Sequence, residues 1–165
     1  MHTERIVPAR RASPIARFVA SLFALTLAAG AAAEVRVDEP WARATVAGQQ
    51  ASGAFMTLTS TTDARLVSVQ SPAAGVAEIH EMALENNVMR MRPVGSLALP
   101  AGKPVELRPG GYHLMLLDLK KPLEAGQSVG LMLTVEDSQG KRERIDVQAQ
   151  IRPLGAAGGS RMHGH

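Results

Sequence analysis

The histidines of this sequence keep company with methionines. Beyond residue 33 there are four: His80, His113, His163 and His165. Met82 lies two positions after His80, Met115 two positions after His113, and Met162 directly precedes His163. Met89 and Met91 fall between the first two histidines. In an extended chain, residues i and i+2 project from the same face, so His80/Met82, Met89/Met91 and His113/Met115 are three same-face pairs. A loop around Asn86 would fold the Met89/Met91 segment back beside His80 and Met82. The expected product is a patch of two imidazoles and several thioethers.

Such a patch suits a soft cation. Thioether sulfur is neutral and polarisable and a poor donor to calcium or magnesium. Zinc accepts imidazole but usually recruits cysteine or carboxylate. Cu(I) is large and polarisable and accepts a His-plus-Met donor set. The chain contains no cysteine, which excludes thiol redox catalysis, a cysteine nucleophile and any thiolate metal site, the blue-copper type included. A His/Met site also avoids disulfide formation, although methionine remains open to sulfoxidation. Methionine is equally an ordinary core filler, and Met56 and Met132 read that way. Residue types alone therefore leave a metal site and plain packing evenly balanced. The spacings suggest no Ser/His/Asp arrangement or carboxylate pair. His80-Glu81 does not begin a zinc-protease helix, because no second histidine follows at the required spacing.

Strands must position these side chains. Runs with period-two alternation or short apolar character recur at 34–37, 51–60, 65–70, 76–82, 87–94, 103–108, 112–119, 128–136 and 142–151. Turn chemistry separates them: Glu85-Asn86-Asn87, Pro100-Ala101-Gly102, Pro109-Gly110-Gly111 and Ser138-Gln139-Gly140. No sustained helical period occurs between residues 34 and 152, so the fold class is all-β, a sandwich or barrel. In the stretch "GGYHLMLLDL", residues 110–119, Leu114 and Leu116 take the face opposite His113 and Met115 and should point into the core.

The chain begins with a basic stretch holding Arg5, Arg10, Arg11 and Arg17, followed by an uncharged apolar run from Phe18 to Ala29 and the small residues Ala31-Ala32-Ala33. This is the pattern of a secretory signal peptide cleaved after Ala33; the apolar run is shorter than the roughly 20 residues a membrane span needs. Removing residues 1–33 leaves 132 of 165, one domain's worth. It also leaves 14 basic and 14 acidic residues, so the basic character of the whole chain belongs to the leader. The expectation is an exported protein with no nucleic-acid partner and no stable membrane insertion after cleavage. The domains read as 1–33 signal peptide, 34–152 β-sandwich and 153–165 a Gly/Ala-rich, His/Met-containing flexible tail.

His80 and Met91 are separated by ten residues, Met91 and His113 by twenty-one, and His113 and Met115 by one. This resembles the H-x10-M-x21-H-x-M pattern of the periplasmic copper chaperone family PCuAC. The likeness extends over "PWARAT", "ASGAFMTL", "HEM", "VMRMRPV" and "LRPGGYHLMLLDLKKPL", nearly the whole of 34–152. The resemblance implies a cupredoxin-like Greek-key β-sandwich with Cu(I) at an exposed end, held by His80, Met91, His113 and Met115. It implies a periplasmic carrier rather than an enzyme, delivering copper towards the apo-CuA domain of cytochrome c oxidase, alone or with a Sco-type partner. Met82 and Met89 stand outside the four-ligand pattern and read as accessory residues. Trp41 reads as a core anchor, and Gly110 and Gly111 as a tight turn presenting His113. Met162, His163 and His165 would offer Cu(II) a second site at the tail, since Cu(II) favours nitrogen over thioether. Two other readings use the same residues differently: a periplasmic storage or resistance protein that sequesters copper without delivery, and a metal-free adhesion or assembly module.

Overall fold

The computed structural model describes residues 34–155. The expected signal peptide, residues 1–33, and residues 156–165 of the expected tail lie outside the described residues. The described chain forms ten strands: β1 Val35–Arg43, β2 Ala51–Ser60, β3 Ala64–Gln70, β4 Ala74–Glu85, β5 Val88–Pro93, β6 Leu97–Leu99, β7 Pro104–Leu107, β8 His113–Leu119, β9 Ser128–Asp137 and β10 Arg142–Arg152. Among the described residues there is no helix. The all-β class and the cupredoxin-like sandwich are as expected.

The strands follow one hydrogen-bonded path, β5-β4-β8-β2-β1-β10-β9-β3-β6, with β7 pairing the far half of β2. Strand β2 serves two partners in turn: Ala51–Ala54 pair β8, and Met56–Thr59 pair β7. Consecutive strands β3 and β4 share no ladder, yet they lie against each other. The sheet therefore folds over on itself, and its two inner faces meet in a leucine-rich core. Leu58, Leu66, Leu99, Leu114, Leu116, Leu131 and Leu133 are all no more than 1% exposed; each such burial is worth about 1.5–3 kcal/mol. Leu114 and Leu116 of β8 lie in that core, as their parity requires.

Most strand limits match the sequence pattern to within two residues, and three features depart from it. Strand β1 runs on through Pro40 to Arg43, where the pattern stops at Val37. A register shift between Asp38 and Trp41, with Glu39 at φ 47°, lets the strand absorb a proline that cannot donate to the ladder. Strand β6 has no counterpart in the sequence pattern, because three residues are too few to show a period, although Leu97 and Leu99 alternate into the core around exposed Ala98. Met56 is core filler, but Met132 is not. It alternates with buried Leu131 and Leu133, is half-buried on the opposite face, and touches the Arg144 guanidinium.

Candidate metal centre

The site is assembled by three adjacent strands, β5, β4 and β8, at one end of the path. Asn86 and Asn87 join β4 to β5 with φ of 50° and 63°, the left-handed pair that a two-residue hairpin turn requires. The hairpin register sets Met82 across from Met91, Leu84 across from Met89 and His80 across from Pro93. On the other side of β4, His80 lies directly across from His113, and Glu78 from Met115. Even-numbered positions of β4 and odd-numbered positions of β5 and β8 thus share one face. Glu78, His80, Met82, Met91, His113 and Met115 are neighbours by backbone register alone.

His113 is 6% exposed and opens β8 after the turn Arg108–Gly111, where Gly110 takes φ 83°. This is the presenting turn expected from Gly110-Gly111. The Gly111 carbonyl accepts from the Met82 backbone N–H at 3.2 Å and from His113 Nδ1–H at 3.0 Å. A carbonyl only accepts, so the imidazole proton sits on Nδ1. Burial pushes the His113 pKa below its ordinary value; the Gly111 carbonyl opposes that shift and nearby His80 adds to it. A neutral ring has one N–H, and Nδ1 carries it. Nε2 therefore presents a bare lone pair, and it faces Met91 Sδ at 3.2 Å. Two electron-pair donors turned towards each other, with no proton between them, form a natural seat for a cation.

His80 is 8% exposed, and its ring centroid lies 5.8 Å from that of His113 at an interplanar angle of 59°. Its Nε2 donates to Glu78 Oε2 at 2.7 Å, while Nδ1 is buried with no hydrogen-bond partner. Both imidazoles are thus anchored through one nitrogen and open at the other.

A cavity of about 400 Å³ opens over this face. Met82, Met91, His113 and Met115 line it together with Arg43, Gly53 and Phe55. His80 does not line it and sits beside His113 instead. Met91 is 50% exposed on β5, the last strand of the path, so the cavity lies at the protein surface. Met82 joins the cavity, whereas Met89 sits across from Leu84, further along the hairpin, and does not. Met162, His163 and His165 lie outside the described residues. Among the described residues no three His, Cys, Asp or Glu side chains gather where they would hold a metal ion.

An aromatic wedge supports His113 from β1 and β2. Trp41 stacks on Phe55 with centroids 4.4 Å apart, and Phe55 lies 6.3 Å from the His113 ring. Arg152 covers the Trp41 ring and Arg43 the Phe55 ring, at 5.0 and 5.9 Å. Trp41 is buried, as expected of an anchor, but it packs in this wedge, apart from the main leucine cluster. Phe55 folds back over Gly53, where an added Cβ would come within 2.8 Å of Phe55 Cζ. The residue pattern does not single out Glu78, Phe55 or Gly53. Parity with His80 flags Glu78, whereas the wedge leaves no local signal.

The LpqE-like family model matches residues 35–151. "Putative lipoprotein Lxx21020" of Leifsonia xyli subsp. xyli is 36% identical over 104 residues, 62% of this chain and 63% of that protein. This chain thus spans under two thirds of that relative's length. The solved "Apo PCuAC domain from PmoF1" is 26% identical, with a TM-score of 0.59 over 73% of this chain and 94% of that one. The "Copper-bound PCuAC domain from PmoF2" has the same fold, at a TM-score of 0.59 and 20% identity, over 74% of this chain and 97% of that one.

Proposed function

Because the chain belongs to the LpqE-like family and has the fold of PCuAC domains, we propose that it is a copper chaperone that carries Cu(I). His80, Met91, His113 and Met115 hold the ion. The observation that carries this reading is the bare Nε2 of His113 facing Met91 Sδ at 3.2 Å in the cavity that Met115 also lines. All four donors are neutral when the ion is bound, so the site takes on one positive charge, which suits Cu(I) better than a divalent cation. The buried His80 Nδ1, which has no hydrogen-bond partner, gains a partner when the ion binds.

The same arrangement favours release. Met91 sits half-exposed on the edge hairpin, where an incoming donor reaches it first. Displacing one neutral thioether at a time avoids ever stripping the ion bare. The protein acts in the periplasm after cleavage at Ala33, as a carrier and not an enzyme. It hands Cu(I) towards the apo-CuA domain of cytochrome c oxidase, directly or through a Sco-type protein.

A Cu(I) competition titration on wild type and His113→Ala tests the site. The expected result is wild-type binding tighter than about micromolar, lost in the variant; equal, weak binding in both would overturn it. Mixing the loaded protein with an apo-CuA domain and following the copper absorbance separates delivery from storage, because a storage protein would retain the ion.

A further inference from the structure

We infer that Glu78 is a positioning residue that sets which nitrogen of His80 takes the metal: Nδ1, opposite in sense to the Nε2 used by His113. The inference rests on the copper reading above and deepens it. An ionised carboxylate only accepts hydrogen bonds, so the 2.7 Å contact from Glu78 Oε2 places the His80 proton on Nε2. A neutral ring held in this way keeps its lone pair on Nδ1, the buried atom left without a hydrogen-bond partner. On His113 the Gly111 carbonyl does the same work at Nδ1 and leaves Nε2 open. The two rings, directly opposed across β4 and β8, are oriented by opposite atoms.

The register explains why Glu78 can do this. It stands two residues before His80 on the same face and directly across from Met115, so its carboxylate reaches the imidazole while its side chain stays 40% exposed. A carboxylate on the far nitrogen of a ligating histidine fixes the ring and raises the basicity of the open nitrogen. It also places one negative charge beside a donor set that is otherwise neutral. Removing such a partner typically weakens metal binding about 10–100-fold.

The test is long-range proton–nitrogen NMR on the ¹⁵N-labelled, metal-free protein, repeated after one equivalent of Cu(I), with titrations on Glu78→Ala and Glu78→Gln. In the metal-free wild type, His80 Nε2 should show a protonated, pyrrole-type shift and Nδ1 a bare, pyridine-type shift. Cu(I) should then move Nδ1 of His80 and Nε2 of His113. Glu78→Ala should lose the single tautomer and bind Cu(I) at least about 10-fold more weakly. Glu78→Gln, whose amide oxygen still accepts, should keep the tautomer and most of the affinity. A His80 protonated on Nδ1, a Cu(I) shift at its Nε2, or an unchanged affinity in Glu78→Ala would each overturn the inference. If Glu78→Ala fails to fold, the wild-type spectra and Glu78→Gln decide. A correct tautomer in a wild type that binds no Cu(I) would sink the copper reading and leave the hold of Glu78 on His80 standing.

Discussion

Gly53→Ala should damage the site from behind without touching a donor. A Cβ at residue 53 would lie 2.8 Å from Phe55 Cζ and 3.3 Å from Cε2. Ordinary carbon contacts need about 3.5–4 Å, so the ring must retreat by about 1 Å. It has little freedom to do so. Phe55 is 4% exposed, with Trp41 stacked against it at 4.4 Å and the His113 ring 6.3 Å away. Overpacking of this kind typically costs about 1–3 kcal/mol. For a domain of this size that lowers Tm by roughly 3–15 °C. The displaced ring crowds His113, whose Nε2 must keep its aim at Met91, so Cu(I) affinity should fall with Tm. Thermal melts followed by circular dichroism and a Cu(I) competition titration read both effects. The control is Phe55→Leu, which removes the clashing ring edge. In that background Gly53→Ala should cost under about 1 kcal/mol, giving a clear coupling in the double-mutant cycle. An unchanged Tm and affinity in Gly53→Ala, or strictly additive costs in the cycle, would refute the wedge as a support for His113.

Met91→Leu keeps volume and apolarity at a half-exposed position, so the fold should lose less than about 1.5 kcal/mol while Cu(I) affinity drops at least tenfold; denaturant unfolding and competition titration separate the two. Deleting residues 160–165 should leave Cu(I) affinity unchanged, because the proposed donors lie on β4, β5 and β8; a parallel Cu(II) titration reports whether Met162, His163 and His165 hold a second ion. Glu136 provides an acid-stability test. Hydrogen bonds from Arg65 and then Arg142 hold its carboxyl below the ordinary carboxylate value. A depressed folded-state pKa contributes stability that is fully present above the unfolded value, near 4.5, and is lost as pH falls through the folded one. Glu136→Gln should therefore lower the urea midpoint at neutral pH and flatten its decline below about pH 4.5; parallel pH curves for the two proteins would contradict this.

What sequence determined here is local chemistry. Donor types, their same-face pairing and the Asn86-Asn87 hairpin all follow from the two-residue period of an extended chain and from turn geometry, which operate over a few residues. Parity also sent Leu114 and Leu116 inward. The H-x10-M-x21-H-x-M resemblance went further and brought His113 together with His80 and Met91, but family likeness supplied that step, since no local rule reaches across thirty residues. Tertiary structure decided the rest. His80 meets His113 because burying Leu114 and Leu116 of β8 together with Ile79 of β4 selects a single register between strands distant in the chain, and a slip of β8 by one residue would turn its donors into the core. The same packing turned His80 towards Glu78 and set it beside the cavity, and it made Trp41 part of a wedge behind His113. It also left Met89 outside the cavity and Met132 out of the core. Those outcomes depend on which surfaces are buried together, and burial is a property of the whole sheet.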